Sequence, residues 1–351
     1  MGGFPVFFPL LNFNAFFLDR FVGGAKLIVM NEELRKSAEI AVSVCLNVSG
    51  SDRFLVLTDP ILYDIGMLLW EAGRKRTEDA VLIVIAPTGA HSAPLPEFVG
   101  DLMKRATVIA APTFYSISHT KARREACQAG ARCATLPGIT KEIMIRTLQA
   151  DYNEIARISN ALAERLTNAK EAVLCTGSGA ELWMSLEGRK GYADTGIIHK
   201  PGDFSNLPAG EAYIAPVEGS SYGTLVINGA IFDTGKLAED DYITVEIENG
   251  YIKEIKGGRS ANHLEKIFSR YTKDARAVAE LGIGTNPKAI ITGNILEDEK
   301  VLGTVHIAFG DNGSMGGRIT NAGIHLDGII ESPTLYVDSK TIIKDGELLL
   351  K

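Results

Sequence analysis

The stretch FLVLTDPILYDIGMLLWEAGRKRTEDAVLIVI, residues 54–85, decides the fold class of the first half of the chain. It begins with a short apolar run at Phe54–Leu57, continues as an amphipathic stretch over Ile61–Arg74 and ends in a second apolar run at Val81–Ile85. Short apolar runs are typical of buried strands, whereas apolar residues at helical spacing are typical of a helix that packs on a sheet. This order predicts a strand–helix–strand unit with parallel strands.

The same alternation continues downstream. Further strands are predicted at Val108–Ala110 and near Cys133–Leu136, and further helices at Glu97–Arg105, at Lys121–Ala129 and as one long helix from Lys141 to about Leu166. We therefore expect residues 30–170 to form an N-terminal α/β domain with a doubly wound, mostly parallel sheet. The first strand is followed by Thr58-Asp59-Pro60, without a glycine-rich phosphate loop, so we expect no nucleotide cofactor.

The second half, residues 171–351, has a different pattern. Apolar runs are separated by glycine-containing turns, as in Tyr242–Ile247 and Tyr251–Ile255 on either side of Glu248-Asn249-Gly250. Such pairs are typical of β-hairpins. One helix is predicted from about Asn262 to Leu281. We expect a β-rich α+β C-terminal domain, and this domain also contains the polar residues that could hold a metal.

The N-terminus fits neither half. One interpretation is that the natural start is Met30, in which case residues 1–29 are an N-terminal extension. The apolar stretch Phe4–Phe17 is interrupted by prolines and asparagines and is too short for a membrane span.

Composition excludes several classes of protein. The chain has 351 residues, of which 46% are hydrophobic and 23% charged, as in an ordinary globular protein. The formal net charge is −7 and no basic stripe is present, so we expect no nucleic-acid partner. The cysteines show no metal-ligand spacing and are expected to be reduced thiols of a cytoplasmic protein that does not contact membranes: Cys45, Cys127, Cys133 and Cys175.

Four apolar segments of the second half carry unexplained polar residues. His325 and Asp327 lie two apart, so on a strand they project to the same face. His306 lies within an apolar strand pattern, and Glu280 and Glu211 lie among apolar or turn residues. Because a buried charge costs several kcal/mol unless it is paired or bound to a metal, these five residues together predict a site for one divalent metal or two. The other histidines are expected at the surface or at a pocket rim: His91, His119, His199 and His263.

These segments resemble the thermophilic metallo-aminopeptidases of the aminopeptidase T and S type, which are leucyl aminopeptidase-like, from about Leu186 to Val337. The resemblance implies a two-metal site, with the ligands Glu211, Glu280, His306, His325 and Asp327. The family also has a tyrosine shortly after the first histidine. The present chain has Asp311-Asn312-Gly313-Ser314 there instead.

A divergent relative of this family is 2,5-dihydroxypyridine dioxygenase, which binds one Fe(II) through two histidines and an aspartate to open an aromatic ring. The resemblance implies that His306, His325 and Asp327 would furnish such a facial triad. The missing tyrosine weakens the peptidase interpretation and leaves the metal interpretation unchanged.

The main hypothesis from the sequence is an aminopeptidase-type hydrolase that removes N-terminal residues from small peptides through a metal-activated water. Two Zn, Co or Mn ions would be bound, Glu211 or Glu280 would act as general base, and Arg189 could bind a substrate carboxylate. A homodimer is expected from the family alone. The alternatives are the Fe(II) ring-opening dioxygenase, acting on another small molecule, and a non-catalytic metal-binding relative.

Overall fold

The structure is a computed structural model that describes residues 24–350. Most of the N-terminal extension predicted for residues 1–29 lies outside the described residues. Its last residues belong to the first helix, α1 at Gly24–Ile40, which continues as a π-helix over Ala41–Cys45.

The helices that follow α1 in the described part of the chain are α2 Tyr63–Arg74, α3 Glu97–Arg105, α4 Lys121–Gln128, α5 Lys141–Thr147, α6 Tyr152–Thr167, α7 Arg259–Phe268 and α8 Ile295–Asp298. Within residues 24–350, none of them combines the length and apolar character needed to cross a bilayer.

The strands in residues 24–350 are β1 Phe54–Thr58, β2 Ala80–Val84, β3 Val108–Ala111, β4 Arg132–Thr135, β5 Glu171–Thr176, β6 Ala180–Ser185, β7 Gly191–Asp194, β8 Phe204–Asn206, β9 Glu211–Ile214, β10 Tyr222–Ile227, β11 Ala230–Ile231, β12 Gly235–Lys236, β13 Ile243–Glu248, β14 Tyr251–Gly257, β15 Val278–Gly284, β16 Val305–Gly310, β17 His325–Ile330, β18 Thr334–Val337, β19 Lys340–Lys344 and β20 Glu347–Leu348.

A five-stranded parallel sheet with the order β2-β1-β3-β4-β8 organises the first part. Alternate residues of β1 face opposite ways: Phe54 and Val56 pack with α1, α2 and α5, whereas Leu55 and Leu57 pack with α3 and α4. Both faces of the sheet are thus covered by helices, which explains why the strands are almost wholly apolar. The predicted doubly wound α/β class is confirmed.

The single long helix predicted from Lys141 to Leu166 is wrong, because the structure has two helices there, α5 and α6. The break is made by Asp151, whose Oδ1 accepts hydrogen bonds from the backbone N–H groups of Asn153 at 3.0 Å and Glu154 at 3.3 Å. A side chain that caps the first N–H groups starts a new helix.

The chain returns once to the parallel sheet after entering the β-rich part. Strand β8 at Phe204–Asn206 pairs in parallel with β4, although it follows β5 to β7 in sequence. The division at residue 170 therefore stays a prediction about where the polypeptide separates into domains.

Two antiparallel sheets form the β-rich part. Their orders are β14-β13-β10-β6-β5-β18-β19-β20 and β12-β11-β17-β16-β15-β9-β7. Side chains from both sheets, such as Leu225 and Val245 from one and Leu281 and Ile307 from the other, belong to one buried apolar cluster. The sheets thus pack face to face as a sandwich, which confirms the β-rich second part.

The helix predicted from Asn262 to Leu281 is wrong in its second half. The helix α7 ends at Phe268, and Val278–Gly284 is the strand β15, every residue of which is buried. It pairs with β16 on one side and with β9 on the other. Neighbouring strands on both sides supply the backbone hydrogen bonds, and this tertiary pairing overrides the local helical pattern.

The two parts meet through buried polar contacts. Arg146 of α5 forms a two-pronged ion pair with Glu297 of α8, with both N–O distances at 2.7 Å. The hydroxyl groups of Ser159 on α6 and Thr285 after β15 lie 2.8 Å apart. These contacts fix the α/β part beside the seven-stranded sheet.

Candidate metal centre

One face of the seven-stranded sheet carries all the predicted metal ligands. Strand residues alternate between faces, and in β15 the side chains of Leu281 and Ile283 belong to the sandwich core. Glu280 therefore points to the opposite face. By the same alternation this face also presents Glu211 of β9, His306 of β16 and His325 and Asp327 of β17.

The register between strands brings these residues together. Ala308 of β16 pairs with Glu280 on one side and with Asp327 on the other. His306 pairs with Gly282, two residues beyond Glu280. Ligands from four adjacent strands, β9, β15, β16 and β17, thus meet over a few residues at the centre of the sheet.

A first group of ligand atoms is formed by Glu280, His325 and Asp327, and its atoms all lie within 4.8 Å of one another. Nε2 of His325 is 3.1 Å from Oε2 of Glu280 and 3.4 Å from Oδ1 of Asp327. Ligands about 2.1 Å from one metal at right angles are about 3 Å apart. The spacing thus fits a divalent cation.

The orientation of His325 also fits a metal ligand. Its Nδ1 lies 2.7 Å from the carbonyl oxygen of Asp311 and donates to it, which leaves Nε2 free to bind a cation. Metal-binding histidines almost always donate their second ring nitrogen in this way, because the contact fixes tautomer and ring orientation.

A second group is formed by Glu211, Glu280 and His306, again with ligand atoms within 4.8 Å. Nε2 of His306 lies 3.3 Å from Oε1 of Glu280 and 3.4 Å from Oε2 of Glu211. Glu280 therefore belongs to both groups and offers one oxygen to each. Unlike His325, His306 has no partner for its buried Nδ1 among the described residues.

The buried carboxylates attract positive charge to this face. Burial alone would raise the pKa of Glu280, but hydrogen bonds from His306 and His325 outweigh it and hold the pKa far below its usual value. Burial likewise opposes the charged form of His306, yet Glu280 and Glu211 raise the pKa of its imidazole to about 9. A divalent cation would satisfy the same carboxylates, so the donor set fits one.

A buried lysine lies beside the second group. The side chain of Lys300 is fully buried, and its Nζ is 2.6 Å from Oε1 of Glu211, 2.7 Å from Oε1 of Glu299 and 3.6 Å from Oδ2 of Asp194. Burial alone would lower the pKa of Lys300, but these three carboxylates hold it well above its usual value. Burial raises the pKa of Glu211 to about 8 against the opposing charge of Lys300.

Arg189, which was predicted to bind a substrate carboxylate, forms contacts with other residues of the protein. Its guanidinium forms an ion pair with Glu218 and donates to the carbonyl oxygen of Gly316 at 3.0 Å. Glu218 also accepts from Asn312, so this group holds the loop between β16 and β17. Contact of Arg189 with substrate stays a prediction.

His119, predicted to lie at the surface or at a pocket rim, is exposed in the structure. It lies in the loop between β3 and α4, close enough to His325 for their charges to interact. Neighbouring protein groups that partly desolvate the imidazole, together with the charges of His325, Arg123 and Arg124, lower the pKa of His119. Its position after a parallel strand is a usable signal, because ligands of α/β sheets bind at the carboxyl ends of strands.

Aromatic side chains from both parts of the protein also converge. The rings of His91 and Tyr115 are 5.5 Å apart, and His91 is 6.2 Å from Phe232. Phe114 lies 5.1 Å from Tyr115. Phe232 directly follows Ile231, which pairs with Gly328 of β17, so Phe232 is close to Asp327 along the sheet.

Comparison with known proteins identifies the family. The sequence profile of the 2,5-dihydroxypyridine 5,6-dioxygenase family matches residues 76–350. The chain belongs to this family. A curated 2,5-dihydroxypyridine 5,6-dioxygenase from Pseudomonas putida KT2440 is 26% identical over 220 residues, which are 59% of this chain and 62% of that protein. The matched region is thus less than two thirds of that relative's length.

Solved structures share the fold. The structure of 2,5-dihydroxypyridine dioxygenase from Pseudomonas putida KT2440 has a TM-score of 0.78 and 19% identity, covering 92% of this chain and 98% of that chain. Wild-type AmpT from Thermus thermophilus has a TM-score of 0.67 and 18% identity, covering 92% of this chain and 100% of that chain. At these identities both similarities show the fold alone.

Membership in the dioxygenase family corrects the main functional hypothesis. The interpretation as an aminopeptidase-type hydrolase, and with it the description as a protease, is wrong. The resemblance to aminopeptidase T is confirmed only at the level of the fold. The reason is that one fold can carry different chemistries, so a resemblance in ligand motifs on a shared fold does not determine the reaction.

Proposed function

We propose that this protein is a metal-dependent dioxygenase that opens the ring of a dihydroxylated pyridine. The observation that carries the proposal is the group of Glu280, His325 and Asp327, with His325 oriented by the Asp311 carbonyl, in a chain of this family. The proposed ligand set differs from the facial triad expected from the sequence: Glu280 replaces His306.

Exposure favours this group over the one that contains His306. The side chain of His325 is 31% exposed, whereas that of His306 is 1% exposed. A small molecule can therefore approach the metal only from the His325 side. Fe(II) held by Glu280, His325 and Asp327 would supply the one-electron chemistry that lets dioxygen react with an aromatic ring.

We propose that His119 accepts a hydrogen bond from a ring hydroxyl of the substrate. Its lowered pKa keeps the imidazole neutral at pH 7, which leaves one ring nitrogen able to accept that bond. It comes from the α/β part, whereas the proposed ligands come from the β-rich part, so the reaction requires both parts to face the same molecule.

The nearby aromatic side chains fit a planar substrate. Phe114 and Phe232 are 43% and 37% exposed, and His91 and Tyr115 lie between them. Aromatic rings gain energy from offset or edge contacts with another ring.

The test is turnover with iron. Protein reconstituted with Fe(II) without oxygen would be mixed with 2,5-dihydroxypyridine and then with dioxygen. We expect uptake of one O2 per substrate, cleavage of the bond between ring carbons 5 and 6, and a product that contains both oxygen atoms, detected by isotope-labelled O2 and mass spectrometry.

The variants His325→Ala and Asp327→Ala are expected to lose both bound iron and turnover. His263→Ala is the matched control, because His263 is a half-buried histidine outside both ligand groups, paired with the carboxylate of Asp233 at 3.2 Å. Bound iron without O2 uptake on any dihydroxylated pyridine would contradict the proposal and favour the non-catalytic alternative.

A further inference from the structure

We infer that the ammonium group of Lys300, held against Oε1 of Glu211, lies beside the position of a second cation and thereby limits the site to one metal ion. The inference rests on the proposed function, since it assigns the first ion to Glu280, His325 and Asp327. It concerns a residue that no sequence motif singled out.

The sheet displays enough ligands for two ions. Glu280 offers Oε2 to the group with His325 and Oε1 to the group with His306, as a carboxylate does when it bridges two metals. Glu211 would complete the second group. A limit to one ion would therefore need a cause other than a shortage of ligands.

Lys300 supplies positive charge beside the second group of ligand atoms. Its Nζ is 2.6 Å from Glu211 and 2.7 Å from Glu299, both of which would otherwise be buried carboxylates without a cation. A divalent ion bound by Glu211 would lie close to this ammonium. In a site closed to water, the repulsion between the two cations is weakly screened and strongly unfavourable.

The backbone keeps Lys300 in place. Its N–H donates to the carbonyl oxygen of Glu297 at 2.9 Å, and its own carbonyl oxygen accepts from the N–H of Asn286 at 2.8 Å. The next residue lies directly against β15: a Cβ at Gly284 would be 2.0 Å from the carbonyl oxygen of Val301. The backbone of the lysine segment is thus fixed against β15, and the side chain that it carries is fully buried.

His306 agrees with this assignment. Its Nδ1 has no hydrogen-bond partner among the described residues, unlike the Nδ1 of His325. The histidine beside Lys300 therefore lacks the support that a metal-binding imidazole normally has.

The test counts metal ions in purified protein. Wild-type protein and the variants Lys300→Met and Lys300→Arg would be loaded with Mn(II) without oxygen, desalted and measured by elemental analysis. We expect one ion per chain in the wild type and in Lys300→Arg, which keeps the charge, and a twofold rise to two ions in Lys300→Met. Electron paramagnetic resonance would show coupling between the two Mn(II) ions in Lys300→Met only.

Glu211→Gln provides a second measurement, which in the wild-type background does not depend on the folding of Lys300→Met. In the wild-type background it is expected to leave metal content unchanged, because Glu211 is neutralised by Lys300; combined with Lys300→Met it should return the content from two ions to one. Three results would each overturn the inference. They are two ions per chain in the wild type, only one ion per chain in folded Lys300→Met, and loss of metal in Glu211→Gln. A one-ion protein that fails to consume O2 contradicts the proposed function only.

Discussion

The imidazole of His306 fills the space that a side chain at Gly282 would need. A Cβ atom on Gly282 would lie 1.9 Å from Nε2 of His306, its partner on the neighbouring strand. Glycine in the middle of a strand is normally unfavourable, and it often marks a place where another group approaches the backbone closely. Here that group is the buried histidine shared by Glu211 and Glu280.

Gly282→Ala is expected to lower the free energy of unfolding by about 1–3 kcal/mol, because the added methyl group forces His306 out of a packed site. Chemical denaturation would measure the change. Gly177→Ala is the control, since a Cβ there meets nothing within 4 Å. Equal stability of the two variants would show that His306 can move freely.

Asp311→Ala is expected to weaken metal binding about 10- to 100-fold without removing a ligand. The Asp311 side chain accepts from the N–H groups of Ala322 at 3.1 Å and Gly323 at 3.0 Å, and its carbonyl oxygen orients His325. Loss of the side chain frees the turn that fixes this carbonyl. Metal affinity would be measured by competition with a chelating dye.

The control for this experiment is Asp240→Ala, which removes an exposed aspartate from a loop of the other sheet. If Asp311→Ala binds metal as tightly as Asp240→Ala does, orientation of His325 through Asp311 is refuted.

Arg146→Ala is expected to destabilise the protein by about 3 kcal/mol, because removal of one partner leaves a buried charge unpaired. Glu297 is fully buried, whereas the Arg146 side chain is 27% exposed, which places the effect at the lower end of the usual range. The double variant Arg146→Met with Glu297→Gln removes both charges and should regain most of the loss. Urea denaturation of the wild type, Arg146→Ala and the double variant would measure their free energies of unfolding. Equal stability of the single and double variants would contradict the argument.

Phe232→Leu is expected to weaken binding of 2,5-dihydroxypyridine by about 0.5–1.5 kcal/mol, or roughly 2- to 10-fold in Kd, because an aromatic contact is lost while apolar volume is largely kept. Calorimetry without oxygen would measure Kd. Tyr222→Leu is the control, because Tyr222 is stacked on Trp183 in the other sheet at 5.0 Å. An unchanged Kd in Phe232→Leu would place the substrate elsewhere.

The local pattern of the sequence predicted the elements that carry the site, with particular exceptions. The apolar runs that became β1, β3 and β16 were recognisable because buried strands leave little room for polar residues. The strand β15 was mistaken for the end of a helix, since its identity depends on pairing with β9 and β16, which lie far away in sequence.

The sequence by itself determined which side chains could share a face. His325 and Asp327 lie two residues apart, so strand geometry places them on the same face. Polar residues within apolar strands must be paired or bound to a metal when they are buried, because burying a charge costs free energy. Neither strand geometry nor the cost of burying charge predicts how close these residues lie to Glu280.

Only the tertiary structure decided the chemistry around those side chains. Register placed Glu280 between His306 and His325, packing of a distant segment placed Lys300 against Glu211, and the contact between the two parts brought His119 to His325. These contacts join residues far apart in sequence. They arise from strand pairing and close packing of the whole chain, which no local pattern of residues encodes.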